Sequence, residues 1–472
     1  MASVKQTNTV QVGTWRELLG PKNLGASTVL AGGVALYATN EFLTISLLPS
    51  TVADIGGERL YAWVTTVYLV ASVVAATTVS VMLARLGPRV AYLSALSVFG
   101  LGSVACAMAP SMELLLAGRV VQGAAGGLLA GLGYAVIHSA LTPLLWTKAS
   151  ALVSAMWGVG TFVGPAAGGL FAQFGSWRWA FGMLAVLTVA MAVLVPYALP
   201  ARRADEAESS ERIPLWSLLL LGSAALAVSV AGIPRTIGVT VAFLVAGAAL
   251  VAAFLVVDRR VTASVLPASA FRPGPLKWMY LTLGLLMAAT MANMYVPLFG
   301  QRLAHMVPVA AGFLGVALAV GWTTSEIISA SLTRTRAIVA VVTAAPLVMA
   351  AGLTLAAVSQ VDDASGLVIA VWVIALTITG VGVGIAWPHL SAWAMGSAED
   401  PGEGRTAAAA INTVQLICGA FGAGLAGVVV NLNGHGDATA ARWLFGVFAV
   451  LAAMGVVASY LASRGRTVVA RA

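Results

Sequence analysis

The chain has 472 residues, of which 60% are hydrophobic and only 9% are charged, and its mean hydropathy is +0.95. A soluble protein of this length needs more charged side chains to cover its surface, so the composition excludes a soluble globular protein and indicates a membrane protein. The net charge of +8 does not point to nucleic acid. About 19 of the 25 Lys and Arg residues fall in segments predicted to be cytoplasmic, so the basic residues indicate orientation and we expect no nucleic-acid partner.

Fourteen apolar runs follow one another along the chain, and each is long enough to cross a bilayer as a helix. They cover residues 27–51, 60–82, 89–109, 113–137, 148–173, 178–198, 215–233, 236–257, 277–300, 308–332, 337–358, 366–390, 405–430 and 441–463. The predicted fold class is an all-α polytopic protein of the cell membrane with both termini in the cytoplasm. The first 26 residues are mostly polar and no small-residue cleavage site follows the first run, so we expect no removable signal peptide.

Polar inserts divide the runs into groups of six, two and six. The charged stretch "PARRADEAESSERIP" (200–214) follows the sixth run, and the basic loop "DRRVTASVLPASAFRPGPLK" (258–277) follows the eighth. The seventh and eighth spans carry few polar residues, so we expect them to pack outside the two groups of six. The predicted regions are an N-terminal cytoplasmic tail (1–26), an N-terminal six-helix bundle (27–199), the linker, two additional spans and second basic loop (200–276), a C-terminal six-helix bundle (277–463) and a C-terminal cytoplasmic tail (464–472).

The two six-helix bundles are predicted to be pseudo-symmetric repeats. "VGTFVGPAAGGL" in the fifth span has a weak counterpart in "ICGAFGAGLAG" of the thirteenth span, and "GAAGGLLAGLGYAVIHSA" is loosely echoed by "GVGVGIAWPHLSAWA". Repeated halves with a binding site between them are typical of secondary transporters.

Several motifs resemble those of a known transporter family. The fourth span contains Arg119, Gln122 and Gly123 in the pattern L-x-x-x-R-x-x-Q-G, and the first span contains "NEFLTISLLPSTVADIG" with Glu41 near its start. These motifs, together with "WVTTVYLVA" and "SWRWAF", resemble the fourteen-helix drug:proton antiporters of the major facilitator superfamily. The fifth span is similar to the pattern associated with antiport, which would place a gating motif at Gly160, Gly164, Pro165, Gly168 and Gly169.

One loop departs from the superfamily pattern. Between the second and third spans the superfamily has G-x-L-x-D-R-x-G-R, but this chain has "SVMLARLGPR", in which Ser80 replaces the Gly and Ala84 replaces the Asp. The matching loop "SASLTRTRA" also lacks an acid. We therefore expect the cytoplasmic gate to depend on other contacts.

Ionisable side chains inside a membrane are costly and are usually functional. Glu41 lies roughly 21 Å from the cytoplasmic start of its span and Arg119 roughly 9 Å from the opposite surface, at 1.5 Å per residue. In a core about 30 Å thick the two residues lie at similar depth. We predict that Glu41 exchanges the coupled proton beside Arg119, the alternative being a static ion pair. Glu326, with Arg334 or Arg336 within reach, is a further candidate for proton coupling or for a structural ion pair.

Proline and glycine in the fifth span predict a helix that can bend or seal, because Pro165 removes a backbone hydrogen bond and glycines allow close helix approach. The alternative is a tightly packed helix without special motion. Polar and aromatic residues on otherwise apolar helices are predicted to line the substrate cavity. They are Asn40, Gln122, Tyr134, Trp157, Asn293, Tyr295, Trp322, Trp387, Asn412 and Gln415.

Histidines and cysteines are not predicted to carry chemistry. His138, His305, His389 and His435 lie near predicted helix ends or loops, where we expect them to be solvated. Cys106 and Cys418 fall in different spans and are expected to be small buried residues. No cofactor or metal site is predicted.

The favoured function is proton-coupled export of lipophilic compounds, including cations, by a monomer surrounded by membrane lipids. A lipid or metabolite transporter on the same scaffold is the alternative, because the fold does not fix the substrate. An intramembrane enzyme has little support, since the sequence contains no G-x-S-x-G, H-E-x-x-H or P-loop motif.

Overall fold

The structure, a computed structural model, describes residues 14–201, 213–233, 236–261, 263–396, 401–433 and 436–469. Within these residues every element of regular secondary structure is a helix. The long helices in chain order are α1 Leu24–Ile55, α2 Trp63–Ala76, α3 Val79–Ala107, α4 Met112–Ala135, α5 Trp146–Phe174, α6 Trp177–Ala198, α7 Leu215–Val230, α8 Ile237–Asp258, α9 Leu276–Ala304, α10 Pro308–Ala330, α11 Thr335–Val358, α12 Gly366–Gly396, α13 Pro401–Leu432 and α14 Asp437–Val469.

The described residues contain twelve helices that are long and apolar enough to cross a bilayer, rather than the fourteen predicted. The two helices outside this set are α1 and α7. Helix α7 is apolar but has only 16 residues, and the middle of α1 is made more polar by Asn40 and Glu41. Length and composition alone therefore support twelve spans among the described residues, although the fourteen predicted runs each match one of the helices α1 to α14.

Helix packing repeats between the first and last six long helices. In the first set α1 packs on α4, α5 and α6, α4 packs on α2 and α3, and α3 packs on α6. In the last set α9 packs on α12, α13 and α14, α12 packs on α10 and α11, and α11 packs on α14. Each pair in the first half (α1 to α6) thus has a counterpart in the second half (α9 to α14).

Helices α7 and α8 lie outside these two sets. Helix α7 packs on α2 of the first half and on α13 of the second half, and α8 packs mainly on α7. Side chains fix α7 to α2, because the Trp63 indole donates to the Ser229 carbonyl at 3.1 Å and the Ser229 hydroxyl lies 3.1 Å from that of Thr66. The buried Asp258 carboxylate holds the end of α8 by accepting from Ser217 at 2.7 Å and from the Val265 N–H at 2.7 Å.

The two halves meet closely where α1 and α5 pack on α10. A Cβ added to Gly169 of α5 would lie 2.5 Å from the Cα of Val309 on α10. Gly312 of α10 leaves no room for a side chain beside Ser46 and Pro165. Arg302 lies near the end of α9, at the same end of the helix bundle as the first residues of α10 and α14. This end of the bundle is named the Arg302 end below.

Candidate functional site

A buried arginine joins three helices of the first half. Arg119 on α4 is only 1% exposed. Its guanidinium donates to the amide oxygens of Asn40 on α1 at 3.0 Å and of Gln122 at 2.9 Å, and to the Val64 carbonyl at 3.4 Å. The guanidinium carbon also lies 4.0 Å from the centre of the Tyr68 ring on α2. Neutral acceptors and an aromatic face therefore compensate the cost of burying this charge.

The local sequence explains how these groups meet. Gln122 follows Arg119 by three positions on α4, so both side chains lie on the same helix face. The Gln122 amide donates to the Ser103 hydroxyl at 2.8 Å, which fixes the amide with its oxygen toward Arg119. The four residues Asn40, Tyr68, Arg119 and Gln122 are named the Arg119 cluster below.

Glu41 lies beside the Arg119 cluster without pairing with it. Successive residues on a helix point about 100° apart, so Asn40 faces Arg119 while Glu41 faces another direction. Glu41 is half-buried and within electrostatic range of Arg119. No ion pair between the two is formed, so the static pair considered above is not present. The predicted similarity of depth agrees with the contact between Arg119 and Asn40, the residue before Glu41.

Two tyrosines that the sequence did not single out border Glu41. Tyr37 lies one turn before Glu41 on α1, and its ring stacks on Tyr68 at 5.6 Å and meets Trp157 edge-on at 5.4 Å. Among the described residues, Tyr37 Oη, Tyr68 Oη and Asn40 Nδ2 are buried and have no hydrogen-bond partner. Buried polar atoms usually have partners, so the aromatic wall formed by Tyr37, Tyr68 and Trp157 has unsatisfied hydrogen-bonding atoms beside Glu41. The four-residue spacing of Tyr37 and Glu41 places both side chains on one face of α1, and this was the sequence signal that could have identified Tyr37.

The predicted gating motif forms a contact stripe along α5. Cβ atoms added to Gly160 and Gly164 would lie 2.6 Å from Ala38 Cβ and 2.6 Å from Phe42 Cβ of α1, respectively. A Cβ at Gly168 would lie 2.7 Å from the Leu43 carbonyl oxygen of the same helix. Glycine at every fourth position thus allows α1 and α5 to pack in contact, whereas Gly169 faces the second half.

Pro165 lies where the halves meet. Its carbonyl accepts from the Ser46 hydroxyl at 3.5 Å, and α5 stays continuous through it. A cavity of about 20 Å³ beside it is also lined by Thr161, Asn293 and Gly312. Asn293 of α9 donates to the Gly315 carbonyl at 3.1 Å, which brings one predicted cavity residue to the contact between α5 and α10.

Glu326 forms a separate site in the second half. It is half-buried on α10 one turn after Trp322, and the Trp322 and Trp387 rings are 5.4 Å apart. No hydrogen bond or ion pair joins Glu326 to Glu41 or Arg119. The three predicted proton-coupling residues therefore occupy two places, one in each half.

The other predicted cavity residues are dispersed. Tyr134 is 39% exposed near the close of α4, far along the helix from the Arg302 end. Tyr295 is buried and stacks on Tyr61 at 4.6 Å, so it belongs to the Arg302 end rather than to a central cavity. On α13, Asn412 is exposed and Gln415 is half-buried.

One expectation for the histidines was wrong. His389 is buried on α12, and its Nε2 lies 3.0 Å from the hydroxyl of Ser329, because the helix α12 turns this side chain toward α10 instead of solvent. His305 is exposed beside Asp363 at 2.8 Å. The side chain of His138 and the whole of His435 lie outside the described residues. Both cysteines are free.

Comparisons of sequence place the chain among membrane transporters. It is 63% identical over 458 residues to a probable multidrug-efflux transporter of Mycobacterium tuberculosis, with 96% of this chain and 97% of that protein covered. It is 24% identical to the multidrug transporter protein MdtP of Bacillus subtilis, with 73% of this chain and 64% of that protein covered.

Solved structures agree on the fold. A D-xylose–proton symporter matches with a TM-score of 0.65 at 14% identity, covering 92% of this chain and 97% of the symporter. A bacterial homologue of the human lysosomal transporter Spinster matches with a TM-score of 0.65 at 12% identity, covering 94% of this chain and 98% of that chain.

The sequence model of the Major Facilitator Superfamily matches residues 30–423. Its members are transporters rather than enzymes, and with the twelve candidate spans this makes the protein a multi-pass component of the cell membrane. The chain therefore belongs to the Major Facilitator Superfamily.

Proposed function

We propose that this chain is a proton-coupled secondary transporter that exports lipophilic compounds, cations among them, by alternating access. The observation that carries the proposal is the pairing pattern of the Arg119 cluster. Arg119 is bonded to Asn40 and Gln122, which leaves the half-buried Glu41 carboxyl without a fixed counter-ion. The 63% identity to a probable multidrug-efflux transporter supports the choice of substrate class.

Glu41 is the proposed proton carrier. When protonated it is neutral and inexpensive to hold within an occluded site. When ionised it attracts a cationic substrate, so that proton and substrate compete for one carboxyl group. Arg119 keeps a positive charge within range and thereby favours release of the proton, whereas its own hydrogen bonds keep it from neutralising Glu41 permanently.

The aromatic wall beside Glu41 suits lipophilic cations. The buried Tyr37 and Tyr68 and the half-buried Trp157 form one group of ring contacts beside Glu41, and aromatic side chains attract cations as well as apolar groups. This lining favours drug-like substrates over the alternative of a lipid or metabolite transporter. Glu326, with Trp322 and Trp387, is a proposed second acidic position in the other half.

Transport by purified protein in liposomes tests this function. Efflux of a lipophilic cationic dye should be faster with an imposed pH gradient than without one, because inward proton movement drives export. Empty liposomes provide the control for leak across the bilayer. Equal rates with and without the gradient would contradict proton coupling, and transport of neutral lipids but not of cationic dyes would support the alternative.

We also propose that α1 and α7 cross the membrane with the other twelve helices, which places both termini on one side. The Lys and Arg residues of the loops make that side the cytoplasm. Helix α1 has 32 residues, which corresponds to roughly 48 Å at 1.5 Å per residue. Helix α7, roughly 24 Å long by the same rise, lies along α2 and α13. The regions 1–26, 27–199, 200–276, 277–463 and 464–472 keep their predicted roles as tail, bundle, linker with two spans, bundle and tail.

Cysteine labelling checks this orientation. Asp205→Cys and Val468→Cys should resist a membrane-impermeant maleimide added to intact cells and should react after the cells are opened. Ser365→Cys, exposed at the start of α12, serves as the matched position expected to react from outside. Labelling of either of the first two variants in intact cells would contradict the proposed topology.

A further inference from the structure

Arg302 bridges two carboxylates that belong to different halves of the chain. One guanidinium nitrogen lies 2.5 Å from Glu58, in the turn before α2, and the other lies 3.0 Å from Asp437, the first residue of α14. Because Arg302 and Asp437 belong to the second half and Glu58 to the first half, the Arg302–Glu58 pair ties the halves together. The pairs Arg178–Asp54 and His305–Asp363 each lie within a single half.

Neutral hydrogen bonds join the same segments. The Tyr61 hydroxyl of the first half donates to the Met294 carbonyl of α9 at 3.3 Å, and the Asn431 amide of α13 donates to the Arg59 carbonyl at 2.9 Å. The Arg302 end is thus closed by polar contacts between the halves. In the loop at the opposite end, Ala84 stands where the superfamily has its latch aspartate.

A pocket of about 320 Å³ lies next to these contacts. Glu58, Arg302 and Asp437 contribute to its polar side, and Tyr61, Tyr295 and Phe299 contribute to its aromatic side. The aromatic rings form a column, with Tyr61 and Tyr295 4.6 Å apart and Tyr295 and Phe299 5.9 Å apart. The Tyr295 hydroxyl is buried and has no hydrogen-bond partner among the described residues. The pocket is of the size of small-molecule sites, which begin at about 300 Å³.

We propose that Glu58, Arg302 and Asp437 form a latch, and that the adjoining pocket binds an organic cation that opens the latch by displacing Arg302 from the carboxylates. The aromatic column takes the apolar body of the ligand and one carboxylate takes its positive group. This inference rests on the proposed export of cations, since it makes the pocket the last binding position at the outer side.

The charges explain why displacement opens the molecule. The side chains of Arg302, Glu58 and Asp437 are 35%, 56% and 39% exposed, and exposed ion pairs are weak enough for a competing cation to replace them. Arg302 is covalently part of the second half, so its pair with Glu58 resists separation of the halves. A ligand cation at Glu58 has no such attachment, and the tie between the halves is lost.

Distances between spin labels on the two halves test the latch. Glu113→Cys and Ser365→Cys are exposed positions at the Arg302 end of the first and second halves, in a background with Cys106 and Cys418 replaced by alanine. Arg302→Met should change the ratio of long to short distances by about fivefold toward the long ones, as expected for loss of an exposed ion pair. Arg302→Lys should give an intermediate ratio because lysine keeps the charge but not the two-armed geometry.

A matched control is the variant Arg178→Met, which breaks an ion pair at the same end but within one half. It should leave the distances unchanged. An Arg302→Met distribution identical to that of the parent protein, or equal shifts in both variants, would overturn the latch.

Phenyltrimethylammonium and its neutral isostere tert-butylbenzene test the pocket. The cation should lengthen the distances in the parent protein and tert-butylbenzene should not, and the cation should add nothing further in Arg302→Met. Tyr295→Phe should weaken the response to the cation. An equal response to both compounds, or no response to the cation, would overturn the site. These distances are measured without a pH gradient. If they do not change as expected while gradient-driven efflux is intact, the latch alone is refuted. If they change as expected but gradient-driven efflux is absent, the proposed function is refuted.

Discussion

Replacing Glu41 with glutamine should reduce pH-gradient-driven efflux to the rate measured without a gradient. The amide has nearly the same size and cannot exchange the coupled proton, so the substrate path stays open while coupling is lost. Because Glu41 makes no ion pair with Arg119 and is only half-buried, the substitution should leave insertion and folding intact. The measurement is dye efflux from liposomes containing equal amounts of each variant, with and without the gradient.

Two companion variants make the result decisive. Glu41→Asp should retain part of the coupling, since it keeps a carboxyl group on a shorter side chain. Glu326→Gln changes the acid of the second half and should preserve more coupling than Glu41→Gln. Undiminished coupling in Glu41→Gln would make Glu41 a structural residue and assign the proton to Glu326.

Gly164→Leu is expected to impair transport severely while the protein still inserts. A Cβ at this position would already lie 2.6 Å from Phe42 Cβ and 2.8 Å from the Leu43 backbone nitrogen. A leucine must therefore push α5 away from α1, and overpacking of this kind costs roughly 1–3 kcal/mol. The leucine would separate α1, which carries Glu41, from α5, which packs on α10 of the second half. Efflux rates and thermal unfolding of the purified variant measure the two effects separately.

Gly158 provides the matched control for this substitution. It lies on the same helix, and an added Cβ there would have no neighbour within 4 Å, so Gly158→Leu should transport normally. Pro165→Ala should also slow transport, with a smaller effect on stability, because it restores a backbone donor and stiffens α5. Efflux at the parent rate by both Gly164→Leu and Pro165→Ala would show that this stripe is packing only.

Hydrophobic patterning predicted the helices well because each span must be continuously apolar to cross the bilayer. The fifth predicted span, 148–173, corresponds to α5 at Trp146–Phe174. Irregular turns inside a span left no such signal. The 3₁₀ turn Met291–Tyr295 interrupts α9 although its five residues include no Gly or Pro. The predicted seventh span, 215–233, extends three residues beyond the end of α7 at Val230 for the same reason.

The candidate site was predictable in its depth but not in its pairing. Asn40 and Glu41 are neighbours in sequence, and rise along the helix places both at the level of Arg119. Which of them contacts Arg119 depends on the rotation of α1 about its axis, which follows from the fit of Ala38 and Phe42 against the glycines of α5. That fit is a property of the packed structure. Tyr37 and Tyr68 were overlooked because a single tyrosine in an apolar run is more often a packing residue.

The position of α7 makes the two lipid-facing sides of the protein unequal. A transporter with two halves has two seams between them, and here α7 and α8 cover the one between α2 and α13. Among the described residues no comparable helix pair covers the seam between α5 and α10. A lipophilic molecule dissolved in the bilayer can therefore reach the closed seam between α5 and α10 directly, whereas α7 and α8 shield the seam between α2 and α13. Because α7 packs on both halves, it also limits how far the halves can tilt apart along the seam between α2 and α13.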